Sequence, residues 1–428
     1  MKKTSTLGVA ALLAVGMTPA FAQTPTVAVG GLVQVWYTQM LDNNLRLNSG
    51  APYYNLRGEF KENTFTLRRS ELKISGSVTD DVSYEVMIDP SINTTSADAT
   101  KPNSSYNPTI LQDAALLWKI GGGFELKAGQ FKNLQTYEGL TSSSELLFAE
   151  RSQIGRVFGD KRDRGAALAF ANGDPKEFAV KATVALFNGM NDLAGGKASD
   201  NNAQKDAVAR LDFTVASAHK FGIYTLQGST DQVDKGSQIA YTFPAGTDTP
   251  SATAVLEAKD KTTNLGAYYT LQTGPFLVTA EYMTGQLGRR YASLGTAAAG
   301  TAALRQHLDQ KFTGYYVTGG YTLANHSFLL RYDMLNYNSG NDWYTSYNPY
   351  TDNATGSLNA DYTPKFTEIT VGYTYAWKPE KVKSANFKIN YIARSKNFLK
   401  PNGATNINGP QTGEQGGNTI VAAFQVAF

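Results

Sequence analysis

The sequence contains no cysteine and only three histidines among its 428 residues. The absence of cysteine excludes disulfides, thiolate metal sites and cysteine nucleophiles. There is also no H-E-x-x-H metal motif, no P-loop and no glycine-rich dinucleotide fingerprint. His219 and His326 fall in short predicted turns and His307 ends a predicted long loop, so none lies mid-strand beside a candidate serine. We therefore expect neither an enzyme nor a bound cofactor or metal.

Long hydrophobic runs are missing as well. The apolar stretch Leu7–Met17 is shorter than the ~20 residues that a membrane-spanning helix needs. It follows two lysines and precedes the small-residue site Ala20-Phe21-Ala22, a pattern typical of a secretory signal peptide. Residues 1–22 are therefore predicted to be a signal peptide and residues 23–428 a single mature domain. Since no cysteine follows the predicted cleavage site, a lipoprotein anchor is not expected.

An excess of charge of one sign is also lacking. The chain has 39 basic and 36 acidic residues, and its net charge of +3 falls to +1 without the two lysines of the predicted signal. A nucleic-acid partner is therefore not expected. The mean hydropathy is −0.31, although the chain contains 24 tyrosines and 21 phenylalanines. Abundant aromatic residues in a mildly polar chain suit a barrel with a lipid-facing outside and a wet inside.

What the sequence does contain is a repeated alternation of apolar and polar residues. Clear examples are Phe366–Lys378, Ala207–Val215 and Lys261–Thr273, and each predicts a β-strand with two different faces. Alternation alone also fits a soluble sheet with one wet face. The last predicted strand, Asn418–Phe428, alternates in the same way and ends on an aromatic residue. This ending resembles the signal read by the outer-membrane assembly machinery.

The connections between the strands favour a barrel. About sixteen strands are predicted, and connections of two to six residues alternate with connections of about 15 to 30 residues. This alternation is typical of an up-and-down barrel with short turns on one side and long loops on the other. A sandwich with Greek-key crossovers would not sort its loops this way. We predict an all-β, transmembrane antiparallel up-and-down β-barrel in contact with the lipid of the outer membrane of a Gram-negative-type bacterium.

The third long loop, Lys132–Lys161, differs from the others because it contains few glycines. Ser142 is a candidate N-cap with Glu145 three residues later, so the segment predicts a capped helical turn. A structured loop in a wide barrel is best explained if it folds inward and narrows the channel. We therefore predict a partly helical, inward-folded third loop. Its charges balance: they are Lys132, Arg151, Arg156 and Lys161 against Glu138, Glu145, Glu150 and Asp160. With Arg162, Asp163 and Arg164 just beyond it, the segment is slightly basic, so a weak anion preference is expected there.

The predicted polar faces of the strands carry balanced charges, eight of each sign. The basic residues are Arg69, Lys73, Lys127, Lys181, Arg210, Arg331, Lys388 and Arg394, and the acidic ones are Glu71, Glu85, Asp89, Glu125, Asp212, Glu281, Asp333 and Glu368. The second strand changes phase: Phe65 and Leu67 share parity with Arg69, whereas Leu72 and Ile74 take the other parity. A β-bulge near Arg68 would reconcile the two halves and turn Arg68 inward.

Several segments between Phe65 and Phe170 resemble the phosphate-selective porin O and P family. They are Phe65–Lys73 with its paired arginines, Leu126–Lys132 followed by Leu140–Ser143 and Phe148–Arg151, and Arg162–Gly165. The resemblance implies a sixteen-stranded barrel, usually a homotrimer, with an inward third loop and an anion path lined by arginine and lysine. The balanced charges of the polar faces depart from a continuous basic ladder.

The resemblance also suggests roles for individual residues. Arg68 and Arg69 match the paired arginines, Lys132 matches the constriction lysine, and Asp89 lies where the family tends to place a lumen acid. With the strand phases, this gives a predicted set of pore-lining or constriction residues: Arg68, Arg69, Lys73, Asp89, Lys127, Lys132, Arg151 and Arg210.

The predicted function is passive diffusion of small hydrophilic solutes or ions, with a weak preference for anions. A channel selective for phosphate or another oxyanion is the first alternative. A barrel with a plugged lumen that serves as an adhesin or envelope scaffold is the second. An outer-membrane hydrolase is the most distant alternative, because the histidines are placed badly for catalysis.

Overall fold

The structure is a computed structural model. It describes residues 25–41, 63–91, 110–189, 205–229, 261–287, 291–294, 303–306, 310–336, 339–340, 365–378, 385–395 and 418–428. The predicted signal peptide and most of the predicted long loops lie outside these residues. Among the described residues, no helix is long and apolar enough to cross a membrane.

Sixteen strands in the described part of the chain close into one antiparallel barrel, and two further strands, β12 and β13, pair with each other as a separate hairpin. Consecutive strands of the barrel pair with each other, and β1 pairs with β18 to close the ring. The predicted fold is thus confirmed; the small hairpin was not predicted. The strands are β1 Ala28–Met40, β2 Asn63–Ser77, β3 Val82–Ile88, β4 Leu111–Gly121, β5 Phe124–Lys132, β6 Arg162–Asp174, β7 Phe178–Phe187, β8 Asp206–Val215, β9 His219–Ser229, β10 Lys261–Thr273, β11 Phe276–Leu287, β12 Tyr291–Leu294, β13 Ala303–Gln306, β14 Gln310–Leu323, β15 His326–Asn336, β16 Lys365–Ala376, β17 Ala385–Arg394 and β18 Thr419–Ala427.

Short turns collect at one end of the barrel, as predicted. Gly122 and Gly123 join β4 to β5, and both have positive φ, which the tightest hairpin turns require. The start of β1 and the end of β18 lie at this same end. There the backbone N–H of Gly31 donates to Phe428 O at 2.9 Å, and the N–H of Phe428 donates to Gly31 O at 3.1 Å. The terminal residue therefore takes part in closing the barrel.

The two faces of the strands have opposite character. In β16, Ile369 and Val371 are exposed on the outer surface, whereas Phe366, Glu368 and Thr370 are buried inside. The same division runs through the other strands, with large apolar side chains outside. Since successive side chains of a strand point to opposite faces, the alternation in the sequence translates directly into an apolar outside and a largely polar inside.

The predicted β-bulge in β2 is confirmed. Gln34 of β1 pairs with Arg69, but the next residue, Val35, pairs with Leu67, so Arg68 is the extra residue. The bulge explains the change of phase: Phe65 and Leu67 are exposed outside, whereas Arg69 is buried inside.

The segment between β5 and β6, residues 133–161, is called L3 below. It contains only single helical turns: α1 at Tyr137–Leu140, a 3-10 turn at Ser143–Glu145 and a π turn at Gly155–Gly159. The partly helical loop that we predicted is therefore not confirmed, and the side chain of Ser142 makes no capping hydrogen bond. Its hydroxyl instead lies 3.0 Å from that of Ser144, a side-chain contact that competes with capping.

Candidate functional site

L3 lies inside the barrel because strands from opposite sides of the ring hold it. Its irregular backbone leaves amide and carbonyl groups without helical partners, and inward-facing side chains of the wall satisfy them. Tyr137 N donates to Glu281 Oε1 on β11 at 2.5 Å, and Ala149 N donates to Asn390 Oδ1 on β17 at 2.7 Å. Further bonds of this kind are Gln153 N to Asp333 Oδ2, Gln34 Nε2 to Ser143 O, Gln425 Nε2 to Ser144 O, and Arg331 Nη1 to Glu150 O.

Three apolar clusters of buried side chains pack L3 against much of the barrel wall. The first joins L3 to β9, β11 and β14–β16, the second lies at the base of L3 against β4–β9, and the third joins L3 to β1, β17 and β18. Strands β2 and β3 contribute to none of them. The members are Ile154, Tyr224, Met283, Phe312, Tyr316, Leu335 and Phe366; then Ala115, Phe131, Ala167, Ala185, Phe187, Val208 and Leu226; then Trp36, Ala149, Ile392, Val421 and Ala423.

A cavity of about 550 Å³ lies between L3 and strands β1–β6. We call it the charged cavity, because seven ionisable side chains line it: Glu71, Lys73, Glu85, Asp113, Lys127, Lys132 and Arg162. On the L3 side its lining includes Leu140 and the serines 142–144. The cavity brings together three of the residues that the sequence predicted, Lys73, Lys127 and Lys132.

Two ion pairs of this cavity leave the cation more accessible than the carboxylate, whereas in the pair of Arg162 with Asp113 the carboxylate is the more accessible, at 17% against 8%. Lys73 Nζ lies 2.8 Å from Glu85 Oε2, and 47% of the Lys73 side chain is exposed against 16% for Glu85. Lys127 Nζ lies 2.5 Å from Glu85 Oε1 with 27% exposed. Two ammonium groups thus share one carboxylate, so this part of the wall carries a net positive charge.

Arg68 lies where β2 borders L3, and it too is more exposed than the carboxylate that it contacts. Its Nη2 lies 3.4 Å from Glu150 Oε2 of L3, with 41% of the Arg68 side chain exposed against 16% for Glu150. The guanidinium also lies over the Trp36 ring, 4.9 Å from its centroid, a distance suited to a cation–π contact. Burial alone would raise the pKa of Glu150, but the charges of Arg68 and Arg156 outweigh burial and lower it to about 2.

Asp160, near the end of L3, collects three cations. Its carboxylate lies 3.0 Å from Lys132 Nζ, 2.7 Å from Arg151 Nη1 and 3.2 Å from Arg162 Nη1. Burial alone would raise the pKa of Asp160, but the three cations hold this pKa well below its ordinary range. Asp160 therefore stays ionised and anchors both ends of L3 to the wall.

Lys132 and Arg151 are largely occupied by this anchoring. Lys132 Nζ also donates to the carbonyl oxygens of Gly139 at 2.6 Å and Thr141 at 3.3 Å. Arg151 is almost fully buried, and its guanidinium donates to Glu138 O at 3.0 Å and Thr141 O at 2.9 Å. Both side chains thus fix the course of L3.

The remaining predicted residues lie at three different places. Buried Arg69 donates through Nη1 to Gln34 Oε1 at 2.7 Å. Asp89 accepts from the backbone N–H groups of Ser70 and Ser91 where β3 ends. Arg210 lies across the barrel, paired with Asp212 at 2.8 Å. Which of the predicted residues line a solute path stays a prediction.

The sequence reasoning missed Trp36, Glu150 and Asp160 as parts of the site. Glu150 and Asp160 entered only as two of the charges of the third loop. Their presence in a glycine-poor loop that also carries arginines was a signal that internal ion pairs order the loop. Trp36 had no comparable signal, because its place beneath Arg68 depends on pairing between β1 and the bulged β2. Within the described ranges, no group of three histidine, aspartate or glutamate side chains could hold a metal ion.

Comparison with known proteins shows the family. The model of the family phosphate-selective porin O and P matches residues 44–427, nearly the whole chain, and the chain belongs to this family. Among solved structures, the outer membrane channel DcaP of Acinetobacter baumannii matches with 14% identity and a TM-score of 0.56, over 95% of this chain and 99% of that chain. No curated protein matches the sequence significantly.

Two further solved structures are similar. OmpT of Vibrio cholerae in its trimer form has 13% identity and a TM-score of 0.49, over 95% of this chain and 100% of that chain. The anion-selective porin from Comamonas acidovorans has 10% identity and a TM-score of 0.48, over 94% and 100%. Family and fold together make the protein a porin, a channel for small solutes in the outer membrane of a Gram-negative bacterium. They point to a channel rather than an enzyme.

Proposed function

We propose that this member of the porin O and P family conducts small hydrophilic solutes passively, with a weak preference for anions, along the charged cavity. The observation that carries the anion preference is the exposure of the ion pairs. Lys73, Lys127 and Arg68 each expose more of their side chain than the carboxylate they contact. A solute passing along this wall therefore meets positive charge first, which favours anions.

The course of the path follows from the apolar clusters. They join L3 to the wall from β4 round to β1 except at β10, where Tyr268 stacks on Tyr137 of L3 with the ring centroids 4.7 Å apart, whereas β2 and β3 contribute to none of them. Ions avoid dry apolar contacts because leaving water is costly for a charge. The polar route therefore runs beside β2 and β3, where Lys73 and Arg68 lie.

The predicted site residues divide into two groups under this proposal. Lys73, Lys127 and Arg68 set the electric field of the path. Lys132, Arg151 and Arg69 act by holding L3 and the adjoining wall in position, through the contacts described above. Asp89 acts on the backbone at the end of β3, and Arg210 positions the base of L3 through weak contacts with the carbonyl oxygens of Leu134 and Thr136.

Reversal potentials in planar bilayers under a salt gradient test the proposal. The wild type is expected to favour chloride over potassium modestly, and the double variant Lys73→Ala, Lys127→Ala is expected to lose this preference or favour cations. Lys176→Ala is the matched control, because Lys176 lies in the short turn between β6 and β7, away from the charged cavity. A wild-type channel that prefers cations, or a double variant that behaves like the control, would show the proposal to be wrong.

A channel selective for phosphate is the second candidate, and one observation favours it. The ammonium groups of Lys73 and Lys127 converge on opposite oxygens of Glu85, an arrangement that two oxygens of an oxyanion could also occupy. If it is correct, micromolar phosphate blocks chloride conductance, and the Lys73→Ala, Lys127→Ala variant escapes the block. Absence of block would leave the weakly anion-preferring channel.

We further propose that the protein assembles as a homotrimer, and β3 supports this. With seven residues, a rise of ~3.3 Å each and a tilt of ~35–45°, β3 reaches a height of roughly 16 to 19 Å, less than the ~25 Å apolar band of such barrels. A neighbouring subunit packed there would shield the wall from lipid. Native mass spectrometry of the protein extracted in mild detergent is expected to show three copies, and a monomer would contradict the proposal.

The export signal is part of the same proposal. Residues 1–22 carry the pattern of a secretory signal, so the mature chain is proposed to begin at Gln23. N-terminal sequencing of the protein purified from outer membranes tests this. Retention of Met1 in the assembled protein would contradict it.

A further inference from the structure

A second cavity, of about 650 Å³, lies beneath L3 on the side away from the charged cavity. We call it the under-loop cavity. Its lining includes Ser217, Ala218 and Pro275 of the short turns, so it opens at the short-turn end, which faces the periplasm in barrels of this architecture. Tyr316 belongs both to its lining and to the first apolar cluster, so the cluster closes the cavity toward the other end.

Lys388 of β17 lines this cavity and is buried without a counter-charge. Only 3% of the residue is exposed, and its Nζ donates one hydrogen bond, at 2.5 Å, to Leu146 O. Within the described ranges, Lys388 forms no ion pair and has no further partner. A buried ammonium group without an anion is unfavourable, and an ammonium can donate three hydrogen bonds. Two of its donors are therefore free for an acceptor in the cavity.

Thr374 lies beside Lys388 on the neighbouring strand. In the register of β16 with β17, Thr374 pairs with Lys388, which places their Cβ atoms about 5 Å apart. Thr374 is also 3% exposed, lines the cavity, and its Oγ1 has no hydrogen-bond partner among the described residues. An ammonium donor and a hydroxyl donor carried by adjacent strands of one cavity wall suit the two oxygens of one carboxylate.

Apolar side chains also line this cavity, beside polar ones that include Asn386 of β17 and Ser327 of β15. The apolar ones include Leu146 and Leu147 of L3, Leu277 of β11 and Leu329 of β15. The lining contains two carboxylates: Glu138 is already paired with Arg331 at 3.2 Å, and Glu145 is exposed to solvent. We infer that the under-loop cavity is a binding site for a small organic carboxylate with an apolar body, held by Lys388 and Thr374 and entered from the periplasmic end.

This site goes beyond the proposed conduction path. The charged cavity is lined by β1–β6, β18 and Phe428, and the under-loop cavity by the turn after β8 and by β9–β11 and β14–β17, with only Ser144 of L3 in both linings. The two proposals can therefore fail separately. Substitution of Lys73 tests the path, whereas substitution of Lys388 tests the carboxylate site.

Isothermal titration calorimetry of the detergent-solubilised protein with benzoate is the direct test. The wild type is expected to bind benzoate, and Lys388→Met to weaken binding by about tenfold or more, because a charge-assisted hydrogen bond is lost. Thr374→Val, which keeps the charge, is expected to weaken binding about threefold to tenfold. Lys176→Ala is the matched control, because Lys176 lies in the short turn between β6 and β7 and lines neither cavity, and it should bind like the wild type.

Benzyl alcohol serves as the uncharged probe. It has the same ring but no carboxylate, so any binding should be weaker than that of benzoate and insensitive to Lys388→Met. If Lys388→Met does not assemble, Thr374→Val decides the question, because valine keeps the shape of threonine. No benzoate binding by the wild type, unchanged affinity in Thr374→Val, or a loss of affinity in Lys176→Ala would each overturn the inference.

Discussion

In this channel, the role of a charged side chain depends on the groups that it contacts as much as on the face of the strand that carries it. The strand phases placed Lys73 and Lys127 on inner faces, the family resemblance marked Lys132, and all three line the charged cavity. Their surroundings differ, because the largely hydrated Lys73 contacts one half-buried carboxylate whereas Lys132 is held by Asp160 and two carbonyl oxygens. An ammonium bound to backbone oxygens orders a loop, and one that remains hydrated can act on passing ions.

The Arg68–Glu150 pair predicts a pH dependence. Since the pKa of Glu150 is lowered to about 2 from 4.5, its ion pair stabilises the fold fully above about pH 4.5 and loses this effect as the pH falls toward 2. Glu150→Gln is therefore expected to lower the free energy of unfolding by roughly 1 kcal/mol at pH 6 and by much less near pH 2. Urea unfolding of both proteins across this range measures the difference.

Glu145→Gln is the control for this prediction. Glu145 is an exposed residue of the same loop, so its substitution should change stability little at any pH. A Glu150→Gln variant that is as stable as the wild type at pH 6, or equally destabilised at pH 6 and pH 2, would contradict the assigned ion pair.

The sequence predicted the bulge at Arg68 but not the residues that surround that side chain. The change of phase in β2 is a local property, because apolar residues switch parity within a few positions. The contacts of Arg68 with Trp36 and Glu150 are non-local, since these residues lie on β1 and on L3. Periodicity within one strand cannot identify such partners.

At the scale of elements, strands and L3 differ in what the sequence can reveal. A barrel strand carries its own alternation because lipid and interior impose opposite demands on its two faces. L3 has no such period, and its course depends on distant side chains; Ala149 N, for example, bonds to Asn390 Oδ1, 241 positions along the chain. The strands could therefore be predicted from residue patterns, whereas the single turns of L3 and its anchoring points could not.

Small residues in the wall make room for L3. A Cβ atom added at Gly314 of β14 would overlap the side chain of Ile154, and one added at Gly372 of β16 would approach the Phe148 ring at 2.8 Å. Glycine usually weakens a strand, so its presence at these positions indicates a close approach by another segment. The wall and the loop thus fit each other at points that neither sequence segment reveals alone.

Gly314→Ala and Gly319→Ala give a matched test within one strand. Gly319 also lies in β14, but a Cβ atom there would meet nothing within 4 Å. We expect Gly314→Ala to destabilise the protein by about 1–3 kcal/mol through overpacking against L3. Gly319→Ala should be neutral or slightly stabilising, because glycine costs a strand roughly 0.5–1 kcal/mol relative to alanine.

Thermal unfolding measures the change in stability, and single-channel recording measures any change in conductance. If Ile154 moves to accommodate the added methyl group, Gly314→Ala should also change the conductance, since L3 borders the path. Equal stability and equal conductance of the two variants would show that L3 does not pack tightly against β14.

At the scale of the whole molecule, the interior is divided unequally by L3. Apolar clusters, together with the stack of Tyr137 on Tyr268 of β10, fix L3 to the wall from β4 round to β1, so polar space lies near β2 and β3 on one side and beneath L3 on the other. The net charge of the 428 residues is only +3, so a selective field has to arise from the local arrangement of charges. Exposed cations and shielded carboxylates supply such an arrangement.

A field of this origin should fade as salt screens it. The Debye length falls from about 10 Å at 0.1 M salt to about 3 Å at 1 M. Lys73 and Lys127 act on passing ions through water, because both lysines are partly exposed. The anion-to-cation permeability ratio from reversal potentials is therefore expected to approach unity as the mean salt concentration rises across this range, and the ratio of the Lys73→Ala, Lys127→Ala variant should change little. A wild-type ratio that stays constant to 1 M would mean that anions contact the donors directly, as at an oxyanion-binding site, and would contradict selection by a screened field.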